Sequence, residues 1–224
     1  MNQHEDTILA LIAGYVDTLG FIALFGLFTA HVTGNFVLIG AEVAGVGQGV
    51  LLKLLAFPSF IVGIAMSSVI FKFLERHHAA QAASALYLLQ AALLTSFLVT
   101  GMLATPITDV SAAMVLICGV LGTMAMGVQN ARGRLLQVTG LPNTVMTGNV
   151  TQVVLDVVEL IHRGTQGDHG QKVSGRLKST LAAMGGFAVG AMAGALAFVQ
   201  VSFVAVALPV AVLLFLAWKR RAAT

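Results

Sequence analysis

The chain has 224 residues and a formal charge of only +3; 58% of its residues are hydrophobic, 9% are charged, and its mean hydropathy is +0.93. Soluble domains carry roughly 25% charge, so this composition excludes a water-soluble globular domain and makes lipid the solvent for most of the chain. The basic residues come in short clusters between apolar runs, not in a stripe interleaved with aromatics, which argues against nucleic acid and for topology-setting loops.

The segment before the first apolar run, Met1 to Asp6, carries no Lys or Arg and does not look like a cleavable signal peptide. About 20 apolar residues cross a bilayer as a helix, and the first candidate runs from Thr7 to Phe28 with Asp17 near its middle. Then come His31, the tripeptide Thr33-Gly34-Asn35 and a short apolar piece to Ala44, which rises roughly 15 Å, half a hydrocarbon core. Gly45, Gly47 and Gly49 make a turn. A run from Val50 to Leu74 ends in the cluster Lys72, Glu75, Arg76, His77, His78, and another from Gln81 to Ala104 stops at Thr105-Pro106. The second half has the same order: a run from Val110 to Asn130, the tripeptide Thr147-Gly148-Asn149, and two runs over Thr180 to Val199 and Ser202 to Trp218, closed by Lys219, Arg220 and Arg221. The stretch 163–178, rich in Gly and charge, reads as a polar aqueous loop. The single cysteine, Cys118, has no intrachain partner for a disulfide.

A shared tripeptide is weak evidence of duplication, but several correspondences fall in order. Gly14-Tyr15-Val16-Asp17 aligns with Gly127-Val128-Gln129-Asn130, Glu42 with Asp156, and Ser59, Gly63, Ser67 with Gly186, Gly190, Gly194. The expectation is one all-α integral membrane domain made of two repeats, 1–105 and 106–224. If the Thr-Gly-Asn segments dip in and return, six helices span the membrane, both termini share a side, and every Lys and Arg except Lys53 lies on that side. The positive-inside rule favours this arrangement, with both termini cytoplasmic and three spans plus one re-entrant or broken segment per half, a 3+3 inverted repeat. The alternative is eight spans in a parallel repeat. The second tripeptide segment, reaching about His162, is long enough to approach a full span.

Helix breaks at membrane depth are tolerated where they are buried in protein or line a wet cavity. Thr33 and Thr147 are expected N-caps, Gly34 and Gly148 permit close backbone approach, and Asn35 and Asn149 offer both donor and acceptor. Asp17 is expensive inside a span, about 2.5 to 3.5 kcal/mol, and is expected to face the polar site and carry a proton or hold a cation, the alternative being a structural hydrogen bond or an ion pair across helices with Arg132 or Arg134. Asn130, its repeat partner, keeps the shape without the charge. The expected midplane site therefore comprises Asp17, Thr33, Gly34, Asn35, Asn130, Thr147, Gly148 and Asn149, with His31, Glu42, Gln129 and Asp156 as secondary candidates. No metal-ligand spacing and no cofactor motif is present. The small-residue stripes suit close helix packing, either between the halves or in a homodimer.

The Gly14–Asp17 and Gly127–Ala131 runs and the two Thr-Gly-Asn tripeptides, in this order and spacing, resemble the YoaK family of bacterial membrane proteins, and the likeness covers nearly the whole chain. The resemblance implies a multi-span inner-membrane protein and supplies no catalytic residues. With no HExxH, GxSxG or P-loop pattern the chain is not expected to be an enzyme. A secondary transporter or channel for a small polar or anionic solute, proton-coupled through Asp17, is expected; the alternative is a non-transporting membrane scaffold or regulator.

Overall fold

In the computed structural model, which describes residues 3–75, 79–136, 146–164 and 166–222, every element among the described residues is helical. The helices are α1 (Gln3–Ala23), α2 (Gly34–Val43), α3 (Val50–Glu75), α4 (Ala79–Ala104), α5 (Ala113–Leu135), α6 (Met146–Arg163), α7 (Gly167–Val201) and α8 (Ala207–Ala222), with a 3-10 turn at Ser202–Val206 between the last two. Among the described residues five segments are long and apolar enough to cross a membrane: His4–Ala23, Val50–Glu75, Gln81–Ala104, Ala113–Leu135 and Gly167–Ala222. The fifth has 56 residues and is broken at Ser202, whose φ of 52° lies in the left-handed region. The chain is thus an all-α protein with several membrane-capable helices.

Two short helices interrupt this pattern. At 10 residues, α2 rises only about 15 Å and is too short to span. It ends at Gly45, Gly47 and Gly49, all at positive φ, where a side chain is strained and glycine is not. Helix α6 has 18 residues but carries Asp156, Glu159 and Arg163 and is not among the candidate spans.

The polar stretch 163–178 is not a loop throughout. From Gly167 onward it forms the first turns of the 35-residue α7. Two of its side chains pair with the neighbouring α6: Arg176 of α7 grips Asp156 through Nε and Nη2, at 3.0 and 2.5 Å, and His169 contacts Glu159 at 2.6 Å. Composition correctly marked this segment as polar; cross-helix pairing makes it helical.

Long-range packing is dominated by α1 against α7 and α3 against α5. Both pairs meet at glycines, because only a missing Cβ lets backbones approach this closely in lipid. A Cβ on Gly14 would stand 2.1 Å from the Phe187 carbonyl oxygen, and one on Gly190 would stand 2.0 Å from that of Leu11. In the other pair a Cβ on Gly127 would stand 2.4 Å from the Phe60 oxygen, and one on Gly63 would stand 2.2 Å from that of Met124. The glycines of the predicted stripes are therefore occupied by contacts within one chain.

Polar contacts gather helix termini at two opposite ends. At one end Glu5 of α1 accepts hydrogen bonds from Arg132 of α5 (2.6 Å), Arg220 of α8 (2.5 Å) and Tyr87 of α4. The Arg132 guanidinium also lies 4.2 Å from the centre of the Tyr87 ring. At the other end Lys53, near the start of α3, reaches the Phe25 carbonyl just beyond α1. Gly49 there abuts Val110, in the connection between α4 and α5.

The glycine contacts yield a paired expectation. Gly190→Ala forces the α1 and α7 backbones apart and costs about 1–3 kcal/mol, typical of overpacking. Gly185→Ala, on the same helix but facing open space, leaves stability unchanged. Thermal unfolding in detergent separates the two.

Candidate functional site

The site is built around the connection between α1 and α2, residues 24–33, where the chain leaves helical geometry and its backbone N–H and C=O groups need partners. Helix α1 ends in a turn with Phe25 at φ 52° and Gly26 at φ 79°. Three buried polar side chains then hold the connection. Lys53 Nζ donates to the Phe25 carbonyl at 2.8 Å. Asn35 clamps Phe28 on both sides, accepting from its N–H at 3.0 Å and donating to its carbonyl at 2.8 Å. Asp17, 3% exposed, accepts from the Ala30 N–H at 2.6 Å and the Thr29 hydroxyl at 3.3 Å, and its second oxygen lies 2.6 Å from His31 Nδ1.

Asp17, His31 and Asn35 are therefore brought together through one connection, whereas the other expected site residues behave differently. Thr33 stands at the N-cap position of α2, but its own backbone is helical and its side chain caps nothing. The first N–H groups of α2 are instead taken by local turns: Gly34 donates to the His31 carbonyl, Asn35 to that of Val32 and Phe36 to that of Thr33. Gly34 packs against the Phe28 ring. Thr147 lies inside the first turn of α6, which starts at Met146, and so is not its cap. Gly148 faces open space, whereas Asn149 is buried and its amide approaches Met146 Sδ at 3.7 Å. Asn130 is half-buried on α5. Next to it Gln129 is fully buried, donating to the Leu9 carbonyl at 2.8 Å and accepting from Gln90 Nε2 at 2.7 Å.

The secondary acids are both paired. Glu42 of α2 receives Lys53 Nζ at 2.5 Å, and Asp156 of α6 receives Arg176. Helices α2 and α6 share an unusual orientation. Each turns its acid and its asparagine inward and presents apolar residues outward: Phe36, Val37 and Val43 on α2, and Val150, Val154, Val158 and Ile161 on α6. Water-facing amphipathic helices do the opposite.

Sequence reasoning missed Lys53, Thr29, Gln90 and the Glu5–Tyr87–Arg132–Arg220 cluster. Lys53 did carry a signal, as the one basic residue off the charged side in the six-span arrangement. Gln90 and Tyr87 are polar residues within one apolar run, and Glu5, Arg132 and Arg220 stand in separate charged stretches, so only tertiary contacts bring them out.

His31 is the one member of the Asp17 cluster that reaches the surface, with its side chain 32% exposed. It lies outside the candidate spans, and its hydrogen bond to Asp17 raises its pKa above the ordinary 6.5. The protonated pair thus contributes stability that is fully present below pH 6.5 and is lost as pH rises through the elevated value. Thermal unfolding of wild type is expected to weaken over that window, and the His31→Gln variant is expected to lack the trend. Asn35→Leu leaves the Phe28 N–H and carbonyl unsatisfied and costs about 1–3 kcal/mol for each, read as lost thermal stability in detergent.

The UPF0700 transmembrane protein YoaK of Bacillus subtilis (strain 168) is 28% identical over 152 residues, covering 67% of this chain and 65% of that protein. The match thus spans just under two thirds of the relative's length. No solved structure matches. The profile of the family described as "Protein of unknown function (DUF1275)" matches residues 7–218, nearly the whole chain, and the protein therefore belongs to that family.

Proposed function

We propose that this protein is a secondary transporter or channel for a small polar solute, built from two inverted copies, residues 1–105 and 106–224, and coupled to protons through Asp17 and His31. The observation that carries this reading is the Asp17 cluster. A carboxylate within a span is held against a broken segment, and its titratable partner His31 is the only one of its contacts that reaches the surface. A purely structural staple for the Ala30 N–H needs only a neutral amide, whereas an ionisable pair at such a place fits proton binding.

The inverted repeat is supported by reciprocal packing. Gly14 and Gly190 meet the carbonyls of Phe187 and Leu11, and Gly127 and Gly63 meet those of Phe60 and Met124. Exchanging Leu11 and Gly14 for Met124 and Gly127, and Phe60 and Gly63 for Phe187 and Gly190, turns one interface into the other. Helices α2 and α6 then act as the re-entrant members, each with its acid paired to a base on the following helix. The end at which Arg132 and Arg220 meet Glu5 faces the cytoplasm of a bacterial inner membrane with both termini, as the positive-inside rule requires. Lys53, the exception to that rule, is neutralised by Glu42.

The test is flux in proteoliposomes under an imposed pH gradient. Asp17→Asn is expected to abolish the response of solute flux to the gradient, lowering it by at least about tenfold, the size of effect expected from removing an essential proton carrier. Unchanged flux with an unchanged pH response removes Asp17 from the mechanism.

A further inference from the structure

Resting on the transport reading, we infer that the solute is a neutral hydrogen-bond donor, such as a polyol or an amide, and that it is received by two buried acceptor oxygens, Glu42 Oε2 and Gln90 Oε1. Both atoms are buried without a hydrogen-bond partner among the described residues. Buried polar atoms are satisfied in the great majority of cases, so each exception calls for a partner.

The orientation of each group is fixed by its neighbours. The Leu9 carbonyl can only accept, so Gln129 must present Nε2 to it and Oε1 to Gln90. Gln90 then spends Nε2 on that oxygen and turns its own Oε1 away. At the opposite end Lys53 has three ammonium protons and three acceptors: Glu42 Oε1, the Phe25 carbonyl and the Gln48 carbonyl. Nothing of Lys53 is left for Glu42 Oε2.

Charge decides the class of ligand. The Glu42–Lys53 pair is already neutral, its side chains 4% and 1% exposed. Adding a cation there leaves a net buried charge, which is costly in a low-dielectric interior. An anion needs donors, and those beside Glu42 are engaged: the Lys53 protons as above, and the first N–H groups of α2 with the carbonyls of His31, Val32 and Thr33. A neutral O–H or N–H satisfies both orphaned oxygens without either penalty. Of the two oxygens, Glu42 Oε2 belongs to the end where Lys53 closes on Phe25. Gln90 lies three residues along α4 from Tyr87, towards the end closed by Glu5, Arg132 and Arg220. A solute crossing between the ends would meet one and then the other.

The experiment is stopped-flow light scattering of proteoliposomes challenged with glycerol or urea, with formate and methylammonium as charged counterparts. Expected are faster equilibration of glycerol or urea than in protein-free vesicles, no acceleration of formate or methylammonium, and at least about tenfold slower neutral flux in Gln90→Leu, the loss expected when a site's hydrogen bond to its solute is removed. Glu42→Gln, which keeps an acceptor oxygen, retains more neutral flux than Glu42→Leu. Acceleration of formate or methylammonium alone overturns the inference and leaves transport standing. Neutral flux that Gln90→Leu does not slow also overturns it. Absence of protein-dependent flux for all four solutes overturns the transport reading and this inference with it.

Discussion

Residues 24–33 must satisfy their backbone without a helix, and the arrangement of the first half follows from that demand. Buried away from water an unpaired N–H or C=O costs several kcal/mol, so a chain that breaks a helix inside the protein must supply side-chain partners. This chain supplies Lys53 for Phe25, Asn35 for Phe28 and Asp17 for Ala30. These partners come from α3, α2 and α1 respectively. The connection therefore ties together the three helices that flank it, and polar side chains that would be liabilities on a lipid face become structural.

Burying those side chains creates a second problem, since Asp17, Glu42 and Asp156 are acids in a mostly apolar body. Each is met locally, by His31, Lys53 and Arg176. The outward faces of α2 and α6 are consequently dominated by apolar side chains, which is why short helices that look amphipathic are turned inside out. Close contacts at Gly14, Gly63, Gly127 and Gly190 supply the remaining constraint. They bring α1 to α7 and α3 to α5 closely enough that each half is completed by a helix of the other.

Much of this was legible in the sequence, because long apolar runs have few alternatives. The runs around Asp17 and from Val50, Gln81 and Val110 became α1, α3, α4 and α5, and Gly63 and Gly190 became packing contacts, as the small-residue stripes implied. The site was legible in part. Asp17 and Asn35 do converge, but through the backbone of Phe28 and Ala30, which no side-chain pattern announces. Thr33 and Thr147 did not become caps, because α2 begins with tight local turns and α6 begins one residue earlier. Residues 163–178 read as a loop because Gly and charge dominate them; the pairing of Arg176 with Asp156 across a hairpin is a tertiary effect. The turn at Phe25 was invisible for the opposite reason, since a bulky residue stands where the left-handed conformation would ordinarily call for glycine.

The central claim is that α2 and α6 enter the membrane and return to the side they came from, so that the two halves are inverted. Membrane-impermeant thiol labelling of intact cells tests it most directly, using the exposed positions Val46→Cys beyond α2 and Gln166→Cys beyond α6 in a background with Cys118 replaced by serine. The inverted arrangement predicts that Val46→Cys labels from outside and that Gln166→Cys labels only after permeabilisation. Protection of Val46→Cys until the cells are opened would contradict it, because α2 would then have crossed the membrane.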